Sequence, residues 1–130
     1  MNADRRAHPI AIVSGDALLA ALLGAAVELA GFRPSFPRVD ESEVDALRRL
    51  KPRALLIDVR HPAASDHALL GRATMMGARI VLFGARAEIE AHTASATDHQ
   101  LGALILPDDL DTLAEILSQA VVRGATRTQS

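Results

Sequence analysis

The chain has 130 residues, no cysteine, no tryptophan or tyrosine, and a formal net charge of -2. That length fits one domain, able to bury roughly two-thirds of its unfolded surface without crosslinks, and zero cysteine excludes disulfides, thiolate metal sites and cysteine nucleophiles. Near-neutral charge, scattered basic residues and an aromatic set of only Phe32, Phe36 and Phe83 argue against binding nucleic acid.

Met1 to Ala7 carries Arg5 and Arg6 and leads directly into a strand-length run, which is not the pattern of a secretory leader. Pro9 to Val13 is that first strand, Ser14-Gly15-Asp16 turns the chain, and Ala17 to Ala30 reads as a helix stopped by Gly31. This helix contains Glu28 and falls short of the about 20 residues that span a bilayer, so no membrane contact is expected and the expected location is the cytoplasm. Arg33 to Val39 is a poorer strand, because Pro34 and Pro37 each remove a ladder donor; such a strand belongs at a sheet edge.

Asp40 with Glu43 forms a capping pair for a helix through Leu50, which Pro52 ends. Ala54 to Asp58 is the third strand, an apolar run that carries a lone carboxylate to its C-terminal tip. A helix from about Ser65 to Met76 stops at Gly77, and Ala78 to Phe83 is the fourth strand. Glu88 to Gln100 is a weaker helix and Leu104 to Leu106 a short fifth strand. Asp108, Asp109 and Asp111 crowd the start of a last helix, Leu110 to Arg123, where carboxylates meet the positive end of the dipole.

Strands and helices thus alternate five times, the pattern of an α/β protein with one doubly wound parallel sheet. The expected domain covers residues 8–123, with polar, flexible tails at 1–7 and 124–130. With so few residues after Arg123, no attached output domain is expected. Ligands and chemistry in open α/β sheets gather outside the carboxyl ends of the strands, which makes Asp58 the residue to explain.

In order and spacing, Ile10-Ala-Ile-Val13, the helix ending Glu28-Leu-Ala-Gly-Phe32, Leu55-Leu-Ile-Asp58 with Pro62 downstream, Arg79-Ile-Val-Leu82 and Gly102-Ala103 resemble the receiver domain of bacterial response regulators. The resemblance covers about His8 to Arg123. It implies a (βα)5, flavodoxin-like or CheY-like fold with strand order 2-1-3-4-5, and it puts Asp58 at the family's phospho-acceptor position.

The same resemblance implies losses around that carboxylate. The family's Mg²⁺-binding acidic pair falls on Ser14 and Gly15, leaving Asp16 as the nearby carboxylate; its hydroxyl position falls on Gly84 and its lysine position on Pro107. The chain's single lysine, Lys51, precedes the third strand, at the opposite end of the sheet from Asp58. No shift in the register of strand five supplies another. Arg60 and Arg86 are the nearest arginines, and a planar fork does not reproduce a compact ammonium.

Phosphoryl transfer rests on positioning and on neutralising charge at the transferring oxygens, and Mg²⁺ needs near-octahedral oxygen ligands, for which Asp16 with Asp58 is a sparse set. The expectation is therefore a stand-alone receiver-like module for signalling or regulation, with a degenerate phosphorylation site. It would act by protein–protein contact, without enzymatic activity or cofactor. Two alternatives stay open: a phospho-accepting response regulator in which Asp16 and Asp58 hold Mg²⁺, and a small-ligand binder at the crevice between strands one and three, where Ser14, Gly15 and Gly84 leave room. Ordinary structural roles compete with both, Asp16 as the N-cap of the first helix and Asp58 as a strand-end acceptor of N–H groups.

The first helix carries a separate signal. Leu18, Leu19, Leu22, Leu23, Val27 and Leu29 spread over more than half its circumference and only Glu28 is charged, whereas a helix lying on a sheet need bury one stripe. One reading is an outer face made bland by small Ala and Gly residues, since scattered apolar surface is normal; if the face is covered, the simplest cover is a second copy across a two-fold axis, through Leu18, Leu22 and Leu29 with Leu117, Ala120 and Val121 of the last helix. The five histidines offer no i, i+4 pair for a metal, and P-loop, G-x-G-x-x-G and G-x-S-x-G patterns are missing from the sequence.

Overall fold

The structure, a computed structural model, describes residues 8–95 and 102–119. Five strands, β1 (Pro9–Val13), β2 (Arg33–Ser35), β3 (Ala54–Asp58), β4 (Arg79–Gly84) and β5 (Gly102–Ile105), form one parallel sheet in the order β2-β1-β3-β4-β5. The helices are α1 (Ala17–Leu29), α2 (Glu43–Leu50), α3 (His67–Met75), α4 (Arg86–Ser95) and α5 over residues 113–119. This is the doubly wound α/β fold and the strand order that the sequence implies.

Alternation along the buried strands builds two cores from one sheet, since successive side chains point to opposite faces. Ala11, Val13, Leu55, Ile57, Ile80 and Leu82 pack with Leu47 of α2, Leu69, Leu70 and Ala73 of α3, and Ile89 of α4. Ile10, Ile12, Leu56, Val81, Phe83 and Leu104 pack on the other face with Leu23 and Val27 of α1 and Leu113 and Leu117 of α5. Sheets covered on both faces make continuous apolar strands, which is why β1 and β3 read as uninterrupted runs.

Local chemistry moves several boundaries. Ser42, not Asp40, caps α2: its hydroxyl accepts the Asp45 N–H at 3.1 Å, and Glu43, expected to pair with the cap from the third helical position, is instead the first residue of the helix. β2 pairs with β1 only over Arg33–Ser35 rather than to Val39, and it lies at the sheet edge as its prolines require. After β3, Pro62–Ser65 form a 3-10 turn, and α3 starts at His67 because Asp66 accepts the Leu69 N–H. Gly77, with φ 90°, ends that segment in the left-handed conformation glycine favours.

β4 runs through Gly84, and α4 begins at Arg86, two residues ahead of Glu88. β5 starts at Gly102 rather than Leu104, paired with Val81, and the chain stays attached beyond its end because the Leu106 N–H donates to Gly84. Asp108–Thr112 is a 3-10 turn rather than the first turn of α5; Asp109 leaves the helix-capping role and accepts the Ile105 N–H at 2.8 Å. The ends of the expected fourth and last helices, 96–100 and 120–123, and both tails lie outside the described residues.

Candidate functional site at the end of β3

Asp58 stands at the C-terminal end of a central strand, opposite Phe83 of β4, and is 2% exposed. The backbone then turns at once: the Asp58 carbonyl accepts the His61 N–H at 2.9 Å, which folds Arg60 back over the carboxylate it follows. Arg60 donates its backbone N–H to Oδ1 at 2.9 Å, its Nε to Oδ1 at 3.2 Å and its Nη2 to Oδ2 at 3.0 Å. Ser14, at the end of β1, donates its hydroxyl to Oδ2 at 2.9 Å. A carboxylate offers about four acceptor positions, and here four donors occupy them.

The electrostatics follow from these partners. Burial pushes the Asp58 carboxyl up, but the Arg60 side chain, the Arg60 N–H and the Ser14 hydroxyl outweigh it and hold the group below its ordinary value. Asp58 is therefore an anion at neutral pH. Arg60, half exposed, is held above its usual range, first by its hydrogen bond to Asp58. Its guanidinium also lies 3.8 Å from Asp16 and 4.0 Å from Glu88. One cation thus ties together carboxylates from β3, the β1–α1 loop and α4.

The other expected positions are disposed around this fork. Asp16 is the N-cap of α1, its Oδ1 accepting the Leu19 N–H at 3.1 Å. Gly15 is exposed, and a Cβ there would meet nothing within 4 Å. Gly84 is different: a Cβ there would stand 2.6 Å from Val59 Cγ1. The room expected at Gly84 for a small ligand is therefore already taken by Val59. Leu106 and Pro107 follow β5 with no cationic side chain, Arg86 pairs with Asp108 at 3.7 Å, and Lys51 caps α2 ahead of β3.

An open cleft lined by Gly15, Asp16, Asp58, Arg60, His61 and Pro62 lies above the pair. Its donors do not fit Mg²⁺ with Arg60 docked, because the Asp58 oxygens are filled and Asp16 is engaged with α1. Among the described residues no group of three or more His, Asp or Glu side chains is arranged to hold a metal ion.

Of the residues expected at an interface, Leu18, Leu22 and Leu29 are 73%, 57% and 90% exposed. Leu117 is not at the surface: it is fully buried against the sheet, because the inward stripe of α5 must cover β4 and β5. Val121 and Ala120 lie outside the described residues. Sequence reasoning named Arg60 only as a nearby cation and passed over Val59. The signal for the fork was an arginine two residues after a strand-end aspartate with a proline two residues further on, a spacing suited to a tight turn.

No protein-family model and no curated protein matches the sequence. Solved structures do match in fold. A bacterial signal-transduction protein described as a transiently phosphorylated switch is 21% identical, with a TM-score of 0.67 over 91% of this chain and 97% of that one. The receiver domain of a sensor histidine kinase from Pseudomonas aeruginosa, which has magnesium coordinated in its active-site cleft, is 21% identical, with a TM-score of 0.64 over 88% and 97%. The receiver domain of nitrogen regulatory protein C is 21% identical, with a TM-score of 0.68 over 90% and 96%. At these identities the likeness establishes the fold: this chain has the fold of a receiver domain.

Proposed function

We propose that the chain is a signalling or regulatory module of receiver fold that works by contact with protein partners and does not use Asp58 as a phospho-acceptor. The observation that carries this reading is the full set of donors on the Asp58 carboxylate, three of them from Arg60. Attack on a phosphodonor needs a free oxygen lone pair on the acceptor, and the incoming anionic group needs neutralising charge. Arg60 takes up the lone pairs, and its own charge is already shared among Asp58, Asp16 and Glu88.

Val59 supports the same reading. It packs so closely on Gly84 that no hydroxyl-bearing side chain fits at that position without displacing it. The module is thus non-enzymatic and takes no cofactor in this reading, and any change of state comes from a bound protein. Among the described residues no helix is long and apolar enough to cross a membrane, and we place the module in the cytoplasm.

Intact-protein mass after incubation with a small phosphodonor and Mg²⁺ tests the reading, with Asp58→Ala and Arg60→Ala in parallel. The expected result is an unmodified wild-type chain. A single phosphoryl adduct on wild type that disappears in Asp58→Ala would overturn it and restore the phospho-accepting alternative. An adduct confined to Arg60→Ala would identify the fork as the block.

A further inference from the structure

α1 buries Leu23, Gly24 and Val27 against the sheet and turns Leu18, Leu22, Ala25 and Leu29 outward. These four residues follow one another at steps of four, three and four, which places them in a single stripe. The stripe lies opposite the buried one, and the three leucines in it are 57% to 90% exposed. We propose that two copies of the chain dimerise through this stripe, with the two α1 helices antiparallel across a two-fold axis between Leu22 and Ala25. The proposal supplies a partner for the protein-contact function above and rests on that reading.

Three features favour a second copy over an unrelated helix. The four-three-four spacing reads the same from either end, so an antiparallel copy meets the stripe in register. Leu22 then faces Ala25 of the second copy, large against small, and Leu18 faces Leu29. A parallel pairing would instead set Leu22 on Leu22 and leave a hole between the two Ala25 residues.

Charge points the same way. α1 has no lysine or arginine, and its single charged residue, Glu28, lies in the last turn, where the negative end of the helix dipole disfavours a carboxylate. An antiparallel copy brings Glu28 alongside the first turn of the other helix, next to the small side chains of Ala17 and Ala21. Carboxylates are stabilised at that end, where α1 has Asp16 as its N-cap and no acidic residue within the first turn.

A 13-residue helix spans about 20 Å, and its one face falls short of the roughly 800 Å² per partner of a standard interface. The dimer is accordingly reversible and depends on concentration.

Sedimentation equilibrium of the full chain over a concentration series tests this. The weight-average mass should rise from 13.8 kDa towards twofold, and Leu22→Glu should stay monomeric with an unchanged circular dichroism spectrum. A chain that stays monomeric throughout, or a dimer that survives Leu22→Glu, overturns the proposal.

Orientation is read by disulfides, since the chain has no cysteine. A mixture of Leu18→Cys and Leu29→Cys chains should give the mixed disulfide, and a predominance of each variant's own disulfide overturns the antiparallel arrangement. The phosphodonor assay separates the two readings. A Mg²⁺-dependent adduct at Asp58 sinks the phosphorylation-independent function whatever the oligomeric state, whereas an unmodified, strictly monomeric chain sinks the dimer alone.

Discussion

Among the described residues two arginine–carboxylate forks occur, at Asp58 with Arg60 and at Glu41 with Arg49, and in each both carboxylate oxygens are engaged. The Glu41 fork spans eight residues and ties a loop to α2: Arg49 also donates to the Phe36 carbonyl at 3.2 Å, and Glu41 accepts the Arg38 N–H at 3.0 Å. The Asp58 fork spans two residues and forms with the turn that ends β3. The first fork fastens one piece of the fold to another. The second turns the carboxylate at the mouth of the sheet inward, onto its own neighbour.

The difference lies in what each carboxylate would do if released. Glu41 sits in a loop, where water could replace its partner. Asp58 lies on a central strand between apolar neighbours, and burial there penalises an unpaired charge. A local arginine also loses little chain entropy in pairing, because the turn already holds it. The site is therefore closed by the residue nearest to it and needs no partner molecule to stay closed.

The largest expected break in this arrangement is Gly84→Thr. Its Cβ would overlap Val59, and overpacking of this kind typically costs about 1–3 kcal/mol. Denaturant unfolding should show the loss, and Val59→Ala in the same chain should recover the part due to the overlap, while the strain of a branched residue at φ 159° remains; strictly additive effects would mean that the two residues do not compete for the same space.

Arg60→Ala comes next. Asp58 keeps Ser14 and a backbone N–H but loses the guanidinium, so its carboxyl should rise. An acid whose folded pKa is raised loses stability as pH increases, so the deficit of this variant should be greatest at neutral pH and narrow on acidification. Adding Asp58→Asn should remove that pH dependence. A melting-temperature deficit that is flat with pH would count against the charge argument.

A smaller effect is expected for Ser14→Ala, which removes one of four donors; a hydrogen bond to a charged group is worth about 1.5–3 kcal/mol when fully buried, and the partial exposure of Ser14 places this one below that range. The readout is again chemical denaturation, and a neutral result would reassign the hold on Asp58 to Arg60 alone.

Arg49→Ala should be seen most plainly in titration. Glu41 is held down to about 2 from an ordinary 4.5, first by its hydrogen bond to Arg49. Because the folded value is the lower one, the pair's contribution is complete above about 4.5 and is lost as pH falls towards about 2. Carboxyl chemical shifts should show the wild-type group titrating near 2 and the variant returning towards the ordinary range.

Much of the fold was readable in order. The period-free apolar runs Pro9–Val13 and Ala54–Asp58 mark strands buried on both faces, and Pro34 and Pro37 mark an edge. Boundaries were less legible where polar groups had a choice of partner. Asp40 and Ser42 are both ordinary N-cap residue types two positions apart, and it is the Ser42 hydroxyl that meets the Asp45 N–H. Asp109 looks like a helix-start carboxylate until β5 presents the Ile105 N–H.

The sequence by itself determined the alternation of strands and helices, the lone carboxylate at the tip of β3 and the lack of any lysine near it, since composition and periodicity are properties of the chain. It also spread apolar residues over more than half the circumference of α1. Only the tertiary structure decided that Arg60 closes on Asp58, that Val59 fills the space at Gly84 and that Leu117 faces inward while Leu18, Leu22 and Leu29 face out. Those outcomes depend on which strand ends are neighbours and which helix face meets the sheet, and both are fixed only when the two cores pack.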